Sequence, residues 1–207
     1  CVRRGIMFKI AFIGFGTVGQ GLAQILLDKR EELRQKYGLE YKVVAISDKL
    51  KGAVYSPEGL NLAKILELVR STGGIEGYPE GIKGMDALET IKNTDSNLII
   101  EVTYTDLKTG EPAITHVRTA LENKKHVLTT NKGPAALAAR ELEALAEKNG
   151  VYFLYEGTVL SGTPTINLAR KTLWGNAILS IKGILNGTTN YILTQMETGK
   201  SYEEALK

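Results

Sequence analysis

The chain reads as an α/β protein: a doubly wound parallel sheet with helices on both faces, followed by the beginning of a smaller α+β domain. Three observations predict this. The short apolar run Phe8–Ile13 passes at once into glycines at positions 14, 16 and 19 and then into a helical pattern. Short apolar runs and helical segments keep alternating as far as Tyr155, the mark of a parallel sheet covered on both faces. From Glu156 the alternation stops and the chain becomes rich in Gly, Ser and Thr.

In order, Phe8–Ile13 is the first strand and Thr17–Tyr37 a long helix stopped by Gly38. Tyr41–Ser47 is the second strand, closed by Asp48, and Leu60–Arg70 a helix. Ser71–Gly84, with many glycines and a proline, is a long loop. Met85–Ile91 is a short helix, Asn97–Val102 a strand, Glu111–Asn123 a helix, Lys125–Thr130 a strand, Pro134–Asn149 an alanine-rich helix and Val151–Tyr155 a strand. Residues 1–155 thus form a dinucleotide-binding domain. In 156–207, Thr165–Leu173 is helical, Ala177–Leu185 a strand of a second sheet, Asn186–Thr189 a turn into a helix, and Tyr202–Lys207 the start of another. One strand and two helices close a core poorly, so this second domain is expected to be incomplete, and Cys1–Ile6 to be an extension ahead of a natural start at Met7.

Composition narrows the function. The content is 43% hydrophobic and the formal net charge is +3, with no Lys/Arg block interleaved with aromatics, so no nucleic-acid partner is expected. No apolar stretch is long enough to span a membrane, and no hydrophobic leader is visible. The one cysteine, Cys1, excludes disulfide scaffolds and cysteine-based metal sites and points to a cytoplasmic protein.

The glycine triplet carries the first chemistry. A buried strand turning sharply into a helix aims free N–H groups and the positive end of the helix dipole at an anion. Gly14 permits the turn, Gly16 lets backbone approach a pyrophosphate, and Gly19 lets the helix pack on the strand. Phe15, Thr17 and Val18 complete the loop. Asp48 sits farther from Gly19 than the ~20 residues usual for a ribose-binding acid, an excess the long helix absorbs; it is either that acid or an ordinary loop aspartate. Lys49 and Lys51 could neutralise a 2′-phosphate, so NAD and NADP both stay open.

Three further segments have double readings. Lys132 lies between a strand and a helix at the carboxyl edge of the sheet, where ligands bind; it offers charge and donors to a substrate oxygen or is solvated. Glu156–Pro164 is an oxygen-rich path suited to a hard cation or a flexible linker, the linker being favoured by sequence alone. In Asn186–Asn190, Thr188 or Thr189 is an N-cap, and the same helix N-terminus could hold a substrate carboxylate. His116 and His126 lack metal-ligand partners at suitable spacing and read as structural or solvated.

GFGTVG (14–19), the Ser47–Asp48 strand end, EVTYTDLKTGEP (101–112), HVLTTNKGP (126–134), EGTVLSGTP (156–164) and GILNGTTNYIL (183–193) together resemble homoserine dehydrogenase, in the family's order and over nearly the whole chain. The resemblance implies a Rossmann-type domain, then a catalytic and dimerisation domain, and an NAD(P)-dependent oxidoreductase interconverting L-homoserine and L-aspartate 4-semialdehyde on the route to threonine, methionine and isoleucine. It implies Lys132 as a catalytic lysine at the cofactor–substrate junction; Gly14–Gly19, Asp48, Thr103 and Asn131 at the cofactor; Glu156, Gly187 and Thr188 at the substrate; Glu156, Val159, Ser161 and Thr163 around a monovalent cation such as sodium; and a homodimer. The family's Asp-x-x-Gly-x-Asp-x-x-x-Lys segment is not found in these 207 residues, so a catalytically inactive dinucleotide-binding fragment or sensor is the alternative. A semialdehyde dehydrogenase working through a thioester needs an active-site cysteine, which Cys1 cannot supply.

Overall fold

The computed structural model describes residues 7–207; Cys1 and the rest of the extension before Met7 lie outside the described residues. It divides into two compact units, Cys1–Tyr155 and Glu156–Lys207.

The first unit begins with strand β1 (Met7–Ile13), followed by helices α1 (Thr17–Asp28) and α2 (Arg30–Tyr37). The expected single helix Thr17–Tyr37 is therefore two. The Tyr41 hydroxyl donates to the carbonyl of Leu26, the acceptor that Arg30 N–H would use in a continuous helix, and Lys29 leaves helical geometry (φ −104°, ψ 15°). No residue of α2 is buried, so packing does not hold it in line with α1. Gly38 ends it in the left-handed conformation, as its position suggested.

Strand β2 (Glu40–Asp48) leads into β3 (Gly52–Tyr55), helix α3 (Leu62–Thr72) and the two-residue strand β4 (Ile82–Lys83). Neither β3 nor β4 is visible in the apolar pattern; β4 lies in the expected loop Ser71–Gly84. Both run antiparallel, so the sheet is mixed rather than purely parallel. Helix α4 (Ala87–Asn93), strand β5 (Leu98–Glu101), helix α5 (Ala113–Glu122) and strand β6 (His126–Thr129) follow. Helix α6 (Lys132–Leu137) starts two residues before the expected Pro134, because a proline at the third helical position gives up an N–H that has no partner there anyway. Ala138 then breaks the segment (φ −135°) before α7 (Ala139–Asn149) and the short β7 (Phe153–Leu154).

The sheet order is β4-β3-β2-β1-β5-β6-β7, with β1 parallel to both β2 and β5 and with β5, β6 and β7 parallel in turn. Both faces are buried, which is why the central strands read as continuous apolar runs. Ile10 and Phe12 of β1 and Leu98 and Ile100 of β5 pack with Ala23, Leu26, Ile65 and Val69 of α1 and α3. Ala11, Ile13 and Ile99 pack on the other face with Ile91, Val117, Leu121 and Leu142 of α4, α5 and α7. Chain connections diverge on either side of β1, leaving a crevice at the carboxyl ends of β1, β2 and β5.

The second unit has a 3-10 turn (Glu156–Thr158), a short helix α8 (Thr165–Asn167) running into a π-turn (Leu168–Thr172), and helices α9 (Gly187–Glu197) and α10 (Tyr202–Leu206). The strand expected over Ala177–Leu185 does not form. A strand needs a partner for its N–H and C=O groups, and no strand of this unit is present among the described residues to provide one. Only Thr158 and Ala205 of the unit are buried, while Trp174 is 86% and Leu179 94% exposed. Asn186, not Thr188 or Thr189, caps α9: its side chain accepts from Thr189 N–H at 2.9 Å. A capping box of Ser201 and Glu204 starts α10. Among the described residues no helix is long and apolar enough to cross a membrane.

Candidate active site

The glycine loop divides its labour as the spacing suggests. Gly14 has φ +91°, donates to Ser47 O at 2.8 Å, and lies so close to β5 that a Cβ would stand 2.7 Å from Val102 C and O. A Cβ on Gly19 would meet Gly14 O at 2.9 Å, so α1 rests directly on the turn. A Cβ on Gly16 would have nothing within 4 Å. The space above Gly16 is open, and α1 starts there without a capping side chain, with Thr17 and Val18 exposed in its first turn. Orphan N–H groups beside an open cradle suit a phosphate anion. Phe15 turns its ring into the core, edge-on to Phe12 at 5.6 Å, so only its backbone belongs to the loop's surface.

Asp48 does more than close β2. Its Oδ2 accepts from Phe15 N–H at 2.6 Å, and its Oδ1 from Leu50 and Lys51 N–H at 2.9 and 3.0 Å. Burial alone would raise its pKa, but these N–H groups and the Lys51 charge outweigh burial and hold the carboxyl below the usual aspartate range. A carboxylate has about four acceptor sites, so Oδ2 keeps one for a ligand. Asp48 and Lys49 line a cleft of about 670 Å³ whose other walls include Met85–Leu88, Thr103, Tyr104 and His116. The Met85–Leu88 wall is remote in sequence and carries no motif.

At the edge formed by β5 and β6, Glu101 is fully buried. Its Oε1 accepts from Thr103 N–H at 3.1 Å and from the Thr103 hydroxyl. Its Oε2 accepts from Thr129 Oγ1 and Asn131 Nδ2, both at 3.1 Å. Asn131 Nδ2 also donates to Thr103 O at 2.8 Å, and Asn131 N–H to Thr129 Oγ1 at 2.9 Å. Lys132, the next residue, is exposed as the first residue of α6. Gly14 packs on Thr103, and Thr103 is bonded to Asn131, so glycine loop, Thr103 and Asn131–Lys132 form one continuous edge. Sequence reasoning missed Glu101 and Thr129; the signal was a carboxylate ending an otherwise apolar strand. His116, read as structural or solvated, is buried with its Nδ1 3.6 Å from Glu101 Oε1, and that atom has no hydrogen-bond partner among the described residues. His126 is structural: its Nδ1 accepts from Tyr152 N–H at 3.0 Å and its ring stacks on Tyr152.

In the second unit, Glu156 Oε1 and Oε2 accept from Ile166 and Asn167 N–H at 3.0 and 2.9 Å. Leu160 and Ser161 are both left-handed (φ 55° and 52°), which coils the 156–163 path tightly. Gly187 and Thr188 form the exposed first turn of α9.

Residues 14–156 match the family model for the homoserine dehydrogenase NAD-binding domain, and residues 164–207 that for homoserine dehydrogenase. The chain belongs to the homoserine dehydrogenase family. It is 50% identical over 199 residues to homoserine dehydrogenase of Methanocaldococcus jannaschii, covering 96% of this chain and 59% of that protein. It is 43% identical to an NAD(+)-dependent homoserine dehydrogenase of Pseudomonas canavaninivorans, over 96% of this chain and 56% of that one. A hyperthermophilic archaeal homoserine dehydrogenase mutant in complex with NADPH superposes with a TM-score of 0.84 at 30% identity, over 97% of this chain and 60% of that one. The chain thus spans somewhat more than half the length of these relatives.

Proposed function

We propose that the chain carries the cofactor-binding portion and the first part of the substrate portion of an NAD(P)-dependent oxidoreductase that interconverts L-homoserine and L-aspartate 4-semialdehyde. The observation that carries the reading is the continuous edge from the open cradle at Gly16 through Thr103 and Asn131 to Lys132. A pyrophosphate over Gly14–Gly19 and a dinucleotide extended along this edge would bring its nicotinamide end towards Lys132. When bound, the nicotinamide takes or gives the hydride. The chain's own task is to orient it and to handle the oxygen. Lys132 offers N–H donors and positive charge to the reacting oxygen, favouring its partial negative charge in the transition state.

The residues fit either dinucleotide. The free acceptor site of Asp48 suits a ribose hydroxyl, while Lys49 beside it suits a 2′-phosphate. The M. jannaschii and P. canavaninivorans relatives support the substrate pair. Family membership also supports Glu156, Gly187 and Thr188 as substrate residues, a monovalent cation held by Glu156, Val159, Ser161 and Thr163, a homodimer and a cytoplasmic location. Residues 1–155 serve the cofactor, and 156–207 begin the substrate and dimerisation domain.

The test is titration with NADH and NADPH together with Lys132→Ala, assayed for homoserine oxidation in the complete gene product. Loss of an interaction made only in the transition state lowers kcat and kcat/KM together, by roughly 10²–10⁴-fold for acid–base help. Near-normal turnover of the variant would remove Lys132 from the mechanism. Cofactor binding without any homoserine-dependent turnover in the unaltered protein would favour a binding module instead.

A further inference from the structure

We propose that Glu101 is a positioning residue for the reaction, which through Asn131 fixes the point at which Lys132 enters the cleft. The inference rests on the Lys132 reading above.

Three features of the β5–β6 edge carry it. First, Glu101 is a fully buried carboxylate that collects donors from three residues: Thr103 through its N–H and hydroxyl, Thr129 through Oγ1, and Asn131 through Nδ2. Burying a carboxylate is costly unless each acceptor site is matched, and an apolar side chain would fill the same volume without that cost. Second, Asn131 forgoes its usual use. An asparagine preceding a helix ordinarily accepts from the N–H of the second or third helical residue; Asn131 stands at that place in α6 and makes no such bond, the third residue being Pro134, which has no N–H. Its amide points backwards instead, to Glu101 Oε2 at 3.1 Å and Thr103 O at 2.8 Å, while its N–H is held by Thr129 Oγ1 at 2.9 Å. The side chain thus serves as an attachment to Glu101 and Thr103 rather than as a helix cap. Third, the residue after Lys132 is equally constrained. A Cβ on Gly133 would lie 2.5 Å from Thr105 Cγ2 and 2.8 Å from Gly110 Cα, so that backbone packs directly on these residues with no space for a side chain. Lys132 is exposed between two neighbours that are both tied to the β5–β6 edge, Asn131 by hydrogen bonds and Gly133 by close packing. His116 Nδ1 stands 3.6 Å from Glu101 Oε1.

Glu101→Gln tests this. The amide presents a donor at one of its two ends. If that end occupies the Oε2 position it opposes Asn131 Nδ2; if it occupies the Oε1 position it opposes Thr103 N–H. Thr129→Val removes the hydroxyl that joins Glu101 to Asn131 N–H while keeping shape, and carries the test if Glu101→Gln does not fold. Both are assayed in the complete gene product for homoserine oxidation, alone and combined with Lys132→Ala. The expected result is a fall in kcat of roughly 10²-fold for Glu101→Gln, the scale of a misplacement of about 1 Å, with a smaller fall for Thr129→Val and KM for the cofactor changed less than kcat. In the Lys132→Ala background neither substitution is expected to lower kcat further, because residues acting through one group are not additive. Turnover within twofold of the unaltered protein for the folded variants, while Lys132→Ala is impaired, overturns the proposal and leaves the Lys132 reading standing. Losses that add to that of Lys132→Ala also overturn it, since they show Glu101 acting on something else. Unimpaired Lys132→Ala removes both.

Discussion

Gly14 and Gly16 stand two residues apart in one loop, and the structure predicts opposite consequences for them. In Gly14→Ala the new Cβ meets Val102 C and O at 2.7 Å and Thr103 N at 2.8 Å, and the residue must keep φ +91°. An unfavourable backbone conformation costs ~1–3 kcal/mol. The obstacle is strand-end backbone rather than a flexible side chain, and overpacking against such a wall adds ~1–3 kcal/mol. The sum, roughly 2–6 kcal/mol, is a large part of the ~5–15 kcal/mol that typically holds a domain, and at ~2–4 °C per kcal/mol it corresponds to a fall in Tm of roughly 4–24 °C. Gly16 has φ −74°, open to any residue, and a Cβ there touches nothing within 4 Å. Gly16→Val therefore leaves Tm nearly unchanged, as surface substitutions do, but fills the cradle; affinity for dinucleotide is expected to fall at least about tenfold, or ~1.4 kcal/mol. Thermal unfolding without ligand and NADH fluorescence titration separate the two effects. A Gly14→Ala variant as stable as the parent, or a folded Gly16→Val variant with unchanged affinity, would refute the division of roles.

Two pH-dependent outcomes also follow. The folded pKa of Asp48 is depressed by the Phe15, Leu50 and Lys51 N–H groups against the opposing effect of burial, so its stabilisation is present above the unfolded value of about 3.9 and lost as pH falls through the folded one; Asp48→Asn is expected to lower Tm at neutral pH, the gap from the parent closing below about pH 4. Burial lowers the Lys125 pKa to about 8, with Nζ donating to Thr94 O at 2.8 Å and Ser96 Oγ at 3.1 Å; the unfolded chain then holds more protons between there and its own value of about 10.4, and this lysine makes stability rise with pH across that window. Lys125→Met is expected to flatten that rise in denaturant titrations, and an unaltered slope would show that Lys125 does not titrate there.

What could be read from the chain alone is what short-range pattern encodes. The glycine spacing predicts the strand–turn–helix and its open cradle because each glycine answers a local need: φ above zero at Gly14, clearance at Gly16, close packing at Gly19. Apolar runs place β1, β2 and β5, since strands buried on both faces are apolar over most of their length. Other features depended on partners distant in sequence. The break at Lys29 comes from the Tyr41 hydroxyl taking the Leu26 carbonyl; β3 exists because β2 offers it an edge, and β4 because β3 does; and Ala177–Leu185, strand-like in composition, forms no strand because a ladder needs a second strand to receive it. The site divides along the same line. By itself, the sequence determined the glycine loop and the place of Lys132 after a strand. The tertiary structure alone decided that Asp48 ties down the glycine loop, and that Glu101, Thr103, Thr129 and Asn131 join into one buried network beside that lysine. Hydrogen bonds between adjacent strand ends depend on which strands become neighbours, and no local pattern in the chain carries that information.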